Sequence, residues 1–465
     1  MPRLTVADLV QGTQGRLAGG RPEAVVSGVS IDSRTCRPGE VFVAIRGPRR
    51  DGHAFVADAV GRGAGAVVVS RLPAAPGLAP DFPVVLVADT TRALQGLGAF
   101  HRRGHAVAVV AITGSNGKTT TKELTALVLG QRFRVLKAVG SLNNQWGVPL
   151  TLLGLEPSHE ALVLELGMNA FGEIAALAQL AQPTVGVVTA IAPAHLEGVG
   201  SIEGVQKAKG ELVQAIPGDG HVVLNADDPL VLALAREARA RVLTYGRAAR
   251  ADVRLSEVTV TAGALAFTVA AGGGTAPVRL SLAGRHNAWN GAAAIAVGLA
   301  LGVPLERAAG ALGQAAPLKG RLLWRPAGSV RILDDTYNAN PASLRAALDA
   351  LAAATGGRAW VIFGDMLELG PASEVAHRDA GGWIAALPTA GLATAGPAAR
   401  VAATAARAAG CPEVASFDAP EDAAAWVAAR LTSGDRVLVK GSRGMQMERA
   451  VEVLLARLGG GRPAC

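Results

Sequence analysis

Gly117, Lys118 and Thr119 stand in the stretch AITGSNGKTTT, residues 111–121, and their order suggests a grip on polyphosphate. In such a loop the backbone N–H groups of a glycine turn and of the following helix N-terminus bind phosphate oxygens. Gly114 and Gly117 permit close approach and positive φ. Lys118 would reach the β- and γ-phosphates, and Thr119 would give its hydroxyl to Mg²⁺. Ser115, Asn116 and Thr120 belong to the same cradle. The spacing departs from the common G-x-x-x-x-G-K-[ST] form, because Ile112 stands where the first glycine belongs. The bland alternative is a glycine turn with a surface lysine. ATP is favoured over GTP, since the chain holds no Asn-Lys pair of the kind that reads guanine.

A phosphate and Mg²⁺ site at this loop asks for ligands at the ends of neighbouring strands. Glu165 ends the apolar run ALVLEL, where an unpaired carboxylate is costly to bury. His195 follows the run TVGVVTAI in the segment APAHLEG. An ion pair would also explain Glu165, and an ordinary loop position would explain His195. Lys207 and Lys209 come next, in GVQKAKGELV. A free ammonium is repelled by Mg²⁺, so on charge alone both read as solvated helix lysines.

The elements that must position these groups alternate between apolar runs and helical spacings. AVAVVAIT, ALVLEL, TVGVVTAI and GHVVLNAD read as parallel strands buried on both faces, with helices between them. That is a doubly wound parallel sheet, expected over residues 106–316. Residues 251–282 change to alternating chemistry with a glycine-rich turn at 272–274, which predicts an antiparallel hairpin on that sheet. Residues 1–105 carry short β-like runs around one helical segment, a small α/β unit. Residues 317–465 alternate again and predict a Rossmann-like α/β unit, closed by a flexible tail GGGRPAC.

Composition fits this plan. A chain of 465 residues exceeds one core, so about two to four domains are expected. Half the residues are hydrophobic, chiefly alanine, and aromatics are only 4%. The net charge of +8 is spread as single arginines, without basic runs interleaved with aromatics, which argues against nucleic acid. Cys36, Cys411 and Cys465 lie far apart, which fits a reducing cytoplasm rather than a disulfide scaffold. The N-terminus lacks an apolar signal core, and the longest uncharged apolar stretch, 291–305, is too short to span a bilayer. A cytoplasmic protein without membrane insertion is expected, and a monomer.

Taken in order, TGSNGKTTTKE, NNQWGVPLTLL, LELGMNAFGEI, AHLEGVGSIEGVQKAKGE, GRHNAWN, DDTYNANPASL, FGDMLELG and VKGSRGMQME resemble the Mur ligases of peptidoglycan synthesis. SIDSRTCRPGEVFVAIRG and DGHAFVADAV extend the resemblance to nearly the whole chain. It implies an ATP-driven amide ligase that works through an acyl phosphate. It runs closest to the branch that adds D-alanyl-D-alanine to UDP-N-acetylmuramoyl-tripeptide. The rivals are another amino-acid-adding ligase of the superfamily, such as the third-residue Mur ligase or folylpolyglutamate synthase, and, from another class, a P-loop switch ATPase.

The family's loop has this variant spacing. By resemblance Thr119 and Glu165 hold a first Mg²⁺, and Glu165 and His195 serve a second. Lys209 matches a lysine that relatives carry as a carbamate, with Lys207 the near alternative. Asn287 and Asn290 match the adenine contacts, and Arg321 and Asp335 reach the nucleotide from the C-terminal domain, with Tyr337 a weaker candidate. Asn143, Asn144 and Asn340 would face the peptide substrate. Ser30, Asp32, Ser33 and Arg34 lie where UDP is expected. Lys440, Ser442 and Arg443, with the segment 364–370, would grip the incoming dipeptide.

Overall fold

The computed structural model describes residues 3–72, 79, 81–261 and 263–459. The tail expected to be flexible lies, beyond Gly459, outside them, as does Cys465. Three main sheets divide the described chain.

Near the N-terminus, five short strands order as 16–19, 84–86, 66–69, 41–43 and 29–30. The last four are parallel, and Arg16–Gly19 runs antiparallel at the edge. A helix Val6–Thr13, not anticipated from the sequence, precedes them. Its start is set by a capping box, in which Thr5 Oγ1 accepts from Asp8 N while Asp8 accepts from Thr5 N. The helix Thr90–Arg103 then leads to the central unit.

The central sheet has nine strands, ordered 274–280, 265–271, 253–260, 241–246, 221–225, 185–188, 108–113, 161–165 and 135–137. From 253–260 to 135–137 every pairing is parallel. All five residues of Ala161–Glu165 and all four of Val185–Val188 are buried, as continuous apolar runs demand. The expected hairpin is in fact a three-stranded antiparallel meander. Its second turn is the glycine-rich one at 272–274. The first joins 253–260 to 265–271, inside a stretch that reads in the sequence as one strand. The alanine-rich helix Asn287–Ala300 packs against this sheet and the phosphate-loop helix, its small side chains allowing close approach.

The C-terminal sheet orders as 323–327, 330–335, 436–440, 359–364, 389–395 and 413–417, all parallel except the first pair. Helices cover both faces, giving two apolar layers. The architecture is the α/β plan expected. Among the described residues no helix is long and apolar enough to cross a membrane.

Candidate active site

The strand Ala108–Thr113 lies in the middle of the central sheet and delivers the phosphate loop at its carboxyl end. The helix Lys118–Leu129 starts directly after it, with Gly117 at the cap in the left-handed region, φ +85°. A Cβ on Gly114 would sit 1.9 Å from Thr189 Oγ1, and one on Gly117 would sit 2.5 Å from Asn290 Oδ1. Both glycines are therefore required by their surroundings as well as by φ. The loop is tied to its neighbour, since Ser115 Oγ donates to Ala192 O and accepts from Ala192 N, each at 2.9 Å. Gly117→Ala is expected to weaken ATP binding by about 1–3 kcal/mol, the usual cost of a strained backbone position. Calorimetric titration checks this, and unchanged affinity would show that the loop does not need this geometry.

Around the loop opens a cavity of about 780 Å³. Lys118, Thr119, Glu165, His195, Asn287, Asn290, Arg321, Asp335 and Asn340 all line it. Glu165 is 2% exposed, yet both its oxygens are satisfied: Oε2 accepts from Thr119 Oγ1 at 2.7 Å, and Oε1 from Asn143 Nδ2 at 2.8 Å. Among the described residues no cation comes within ion-pair distance of it, so the ion-pair explanation does not apply here. A carboxylate and a hydroxyl poised together at the phosphate-loop helix suit a hard cation such as Mg²⁺. Among the described residues no three of His, Cys, Asp and Glu cluster as a ready-made metal cage. A metal here would take Thr119, Glu165 and further ligands.

Lys118 Nζ donates to Gly114 O at 2.7 Å. Burial pushes its ammonium below the usual lysine range, Glu165 opposes that shift and Arg321 adds to it. Lys207 and Lys209 share the helix Ile202–Ala215 but face different ways. Lys207 is exposed and stands over the Phe171 ring at 5.6 Å. Lys209 is 2% exposed and makes no hydrogen bond or ion pair among the described residues. Burial first, and the charge of Lys118 second, hold its amine well below the usual lysine range. Lys209 is thus a buried amine whose charged form is disfavoured by its surroundings, within electrostatic reach of Lys118.

Asn287 and Asn290 lie in the first turn of their helix. Asn290 Nδ2 donates to Asn287 Oδ1 at 2.8 Å and Asn290 Oδ1 accepts from Thr121 Oγ1 at 3.2 Å. His286, not Asn287, occupies the cap position, and the Asn287 amide donates instead to Ala283 O at 2.7 Å. From the C-terminal side Arg321 Nη2 donates to Thr119 Oγ1 at 2.7 Å, and its guanidinium stacks 4.0 Å from the Tyr337 ring centre. Tyr337 and Ser141 join hydroxyl to hydroxyl across the cleft. Asn116 and Asn340 form a reciprocal amide pair, at 2.9 and 3.3 Å. His195 Nδ1 meets Glu368 Oε2 at 2.7 Å. Four polar contacts thus close the C-terminal unit onto the phosphate-loop unit.

Several expected residues have local duties as well. Asp335 and Lys440 form a buried ion pair, and Lys440 Nζ also donates to Asn338 O at 2.9 Å. Asn144 Oδ1 caps the turn into the helix Gly147–Leu152, accepting from Gly147 N at 2.9 Å. Asn340 caps the helix Pro341–Ala353. Ser442 is buried and accepts from Leu367 N at 2.8 Å, while Arg443 is exposed and pairs with Glu448 at 2.7 Å. Ser30, Asp32, Ser33 and Arg34 do not line the cavity; Arg34 grips Asp32 two residues back, at 2.6 Å and 2.9 Å.

Sequence reading missed Lys122, Ser141, Thr121 and the individual role of Glu368. Lys122 is fully buried and donates to Ala138 O and Gly140 O, both at 2.6 Å, so it pins the loop that carries Ser141 and Asn143. Its one visible signal was its place one turn after Lys118.

The descriptions "Mur ligase family, catalytic domain", "Mur ligase middle domain" and "Mur ligase, glutamate ligase domain" match residues 25–107, 112–298 and 320–443. A Bacillus subtilis UDP-N-acetylmuramoyl-tripeptide–D-alanyl-D-alanine ligase is 34% identical over 98% of this chain and 99% of its own length. The chain belongs to the Mur ligase family. Among solved Mur ligases, a MurF from Acinetobacter baumannii has a TM-score of 0.89 at 34% identity, over 98% of this chain and 99% of that one. A MurF from Thermotoga maritima, solved with ADP, has a TM-score of 0.81 at 30% identity, over 93% and 98%. The chain is accordingly an ATP-dependent, ADP-forming ligase, which sets aside the switch-ATPase reading.

Proposed function

We propose that this Mur ligase joins D-alanyl-D-alanine to UDP-N-acetylmuramoyl-tripeptide in the cytoplasmic synthesis of peptidoglycan precursor. Full-length similarity to a ligase of that name carries the reading. The tripeptide's terminal carboxylate attacks the γ-phosphorus, and ADP leaves. The amine of D-alanyl-D-alanine then attacks the acyl phosphate carbon, and phosphate and a proton depart. Lys118 neutralises the charge that builds on the transferred phosphoryl group. Arg321 adds a second positive charge from the other side of the cleft, so both stand at the γ-phosphate only when the cleft is shut.

In this reading Thr119 and Glu165 would hold one Mg²⁺, and Glu165 and His195 would serve a second. Bound Mg²⁺ would supply charge neutralisation between two anionic reactants. Lys209 fits a carbamate, because only a neutral amine captures CO₂, losing a proton and becoming an anion. That change would turn a buried amine, without a polar partner among the described residues, into a carboxylate-like ligand near Lys118. Asn287 and Asn290 face adenine, and Asp335 reaches the nucleotide. Residues 1–105 hold UDP through the Ser30–Arg34 segment, 106–316 hold ATP, and 317–465 close with the dipeptide near Lys440, Ser442 and Arg443. Asn143, Asn144 and Asn340 face the peptide, and the chain works as a monomer.

A panel of amine acceptors tests the reaction. Phosphate release is expected only with UDP-muramoyl-tripeptide and D-alanyl-D-alanine together. Turnover with a single amino acid, but not with the dipeptide, would move the chain to another branch of the family.

A further inference from the structure

Seven non-glycine residues among those described have positive φ, and two of them touch each other. His195 stands at φ +56° and Glu368 at +64°. The left-handed region is unfavourable for side-chain-bearing residues, so it persists only where the surroundings fix it. His195 follows the central strand Val185–Val188, whereas Glu368 follows the C-terminal strand Ala359–Gly364. Their side chains meet at 2.7 Å, Nδ1 to Oε2, a contact whose angle falls short of a hydrogen bond, and Nδ1 has no hydrogen-bond partner among the described residues. Relaxing either φ would redirect the Cα–Cβ bond and separate the pair.

The segment that carries Glu368 does not swing by itself. Leu367 N donates to Ser442 Oγ at 2.8 Å, and Met366 N donates to the buried His377 Nε2 at 2.9 Å. Glu368 therefore moves with the C-terminal domain as a body.

We propose that Glu368 is a positioning residue for His195, delivered to it when the C-terminal domain closes. A small turn of the carboxylate, already 2.7 Å from Nδ1, brings it into line to accept from Nδ1–H and so to select that tautomer of the neutral ring. Nε2 is then the nitrogen with the free lone pair, the form a metal-ligating or phosphate-facing imidazole needs. The site is thus assembled only in the closed state. The inference rests on His195 acting at the reaction site. The bland alternative is a surface ion pair across the cleft, which would leave the ring's tautomer and the turnover rate unchanged.

The test uses the full chain with ¹⁵N-labelled histidine, in the presence of ADP and Mg²⁺, at a pH at which the ¹⁵N shifts themselves show the ring neutral. The His195 signal is assigned by its loss in His195→Gln. Wild type is expected to show the Nδ1–H tautomer, and Glu368→Ala to lose that preference. Glu368→Gln, whose amide oxygen still accepts, should keep it. In turnover, Glu368→Ala should lower kcat by about 10- to 100-fold, the usual scale for a group that orients a metal-ligating histidine. The KM for ATP should hardly move, and Glu368→Gln should recover most of the rate. The Glu368 side chain is 53% exposed, so neither substitution disturbs a core. An unchanged tautomer or an unchanged kcat in Glu368→Ala would overturn the proposal, as would Glu368→Gln failing equally in both. The tautomer measurement needs no peptide substrate, so failure of the proposed ligation in wild type would be seen separately.

Discussion

Replacing Lys209 with methionine is expected to abolish ligation and to stabilise the fold. The side chain is 2% exposed on a helix face it shares with buried Val205, Ala208 and Leu212, and it has no polar partner among the described residues. Its folded pKa is depressed by burial and then by Lys118, while an unfolded lysine titrates near about 10.4. Between the depressed folded value and the unfolded one, the unfolded chain binds more protons than the folded chain. Lys209 therefore costs stability at neutral pH, and the cost shrinks as pH rises toward the unfolded pKa. A methionine of similar length removes it, for a gain of about 1–3 kcal/mol. Scanning calorimetry without metal or bicarbonate should show a higher Tm. Turnover should fall at least about 100-fold, as when one preorganised electrostatic group is lost. In Lys209→Ala, which leaves room, a small carboxylate should restore part of the rate. Full activity in either variant would show Lys209 to be only a helix lysine.

Lys118→Ala is the second large effect. Lys118 Nζ now rests on Gly114 O, inside its own loop, and Glu165 and Arg321 pull its pKa in opposite directions. Polyphosphate would draw that ammonium away from the carbonyl. Its removal should cost about 3 kcal/mol or more of transition-state stabilisation, a fall of at least about 100-fold in kcat/KM. The phosphate-release assay reads this directly, and a loss below tenfold would mean that the lysine does not face the transferred group.

The phosphate loop was legible because its backbone geometry demands particular residues. Gly114 and Gly117 have no tolerable alternative beside Thr189 and Asn290, so the sequence displays them. Lys207 and Lys209 were not separable on residue type. Two positions on a helix differ by about 200° in direction, and only tertiary packing says which one is buried. Asp335 and Lys440 were read as serving different ligands. Side-by-side pairing of their parallel strands puts them in register, and a separation of 105 positions hides that in the sequence. Glu368 was invisible as an individual for the same reason, since its partner belongs to another sheet. The meander was taken for a hairpin because its first turn carries a single glycine, Gly263, among small residues, a weaker signal than the glycines at 272–274.

The amide pair of Asn116 and Asn340 has a practical consequence. It joins the two halves of the cleft through groups that water or a ligand amide can satisfy equally well, so its opening carries little penalty. A small inhibitor that offered Asn116 a substitute amide would wedge the cleft apart. It would need neither a phosphate nor a purine to do so.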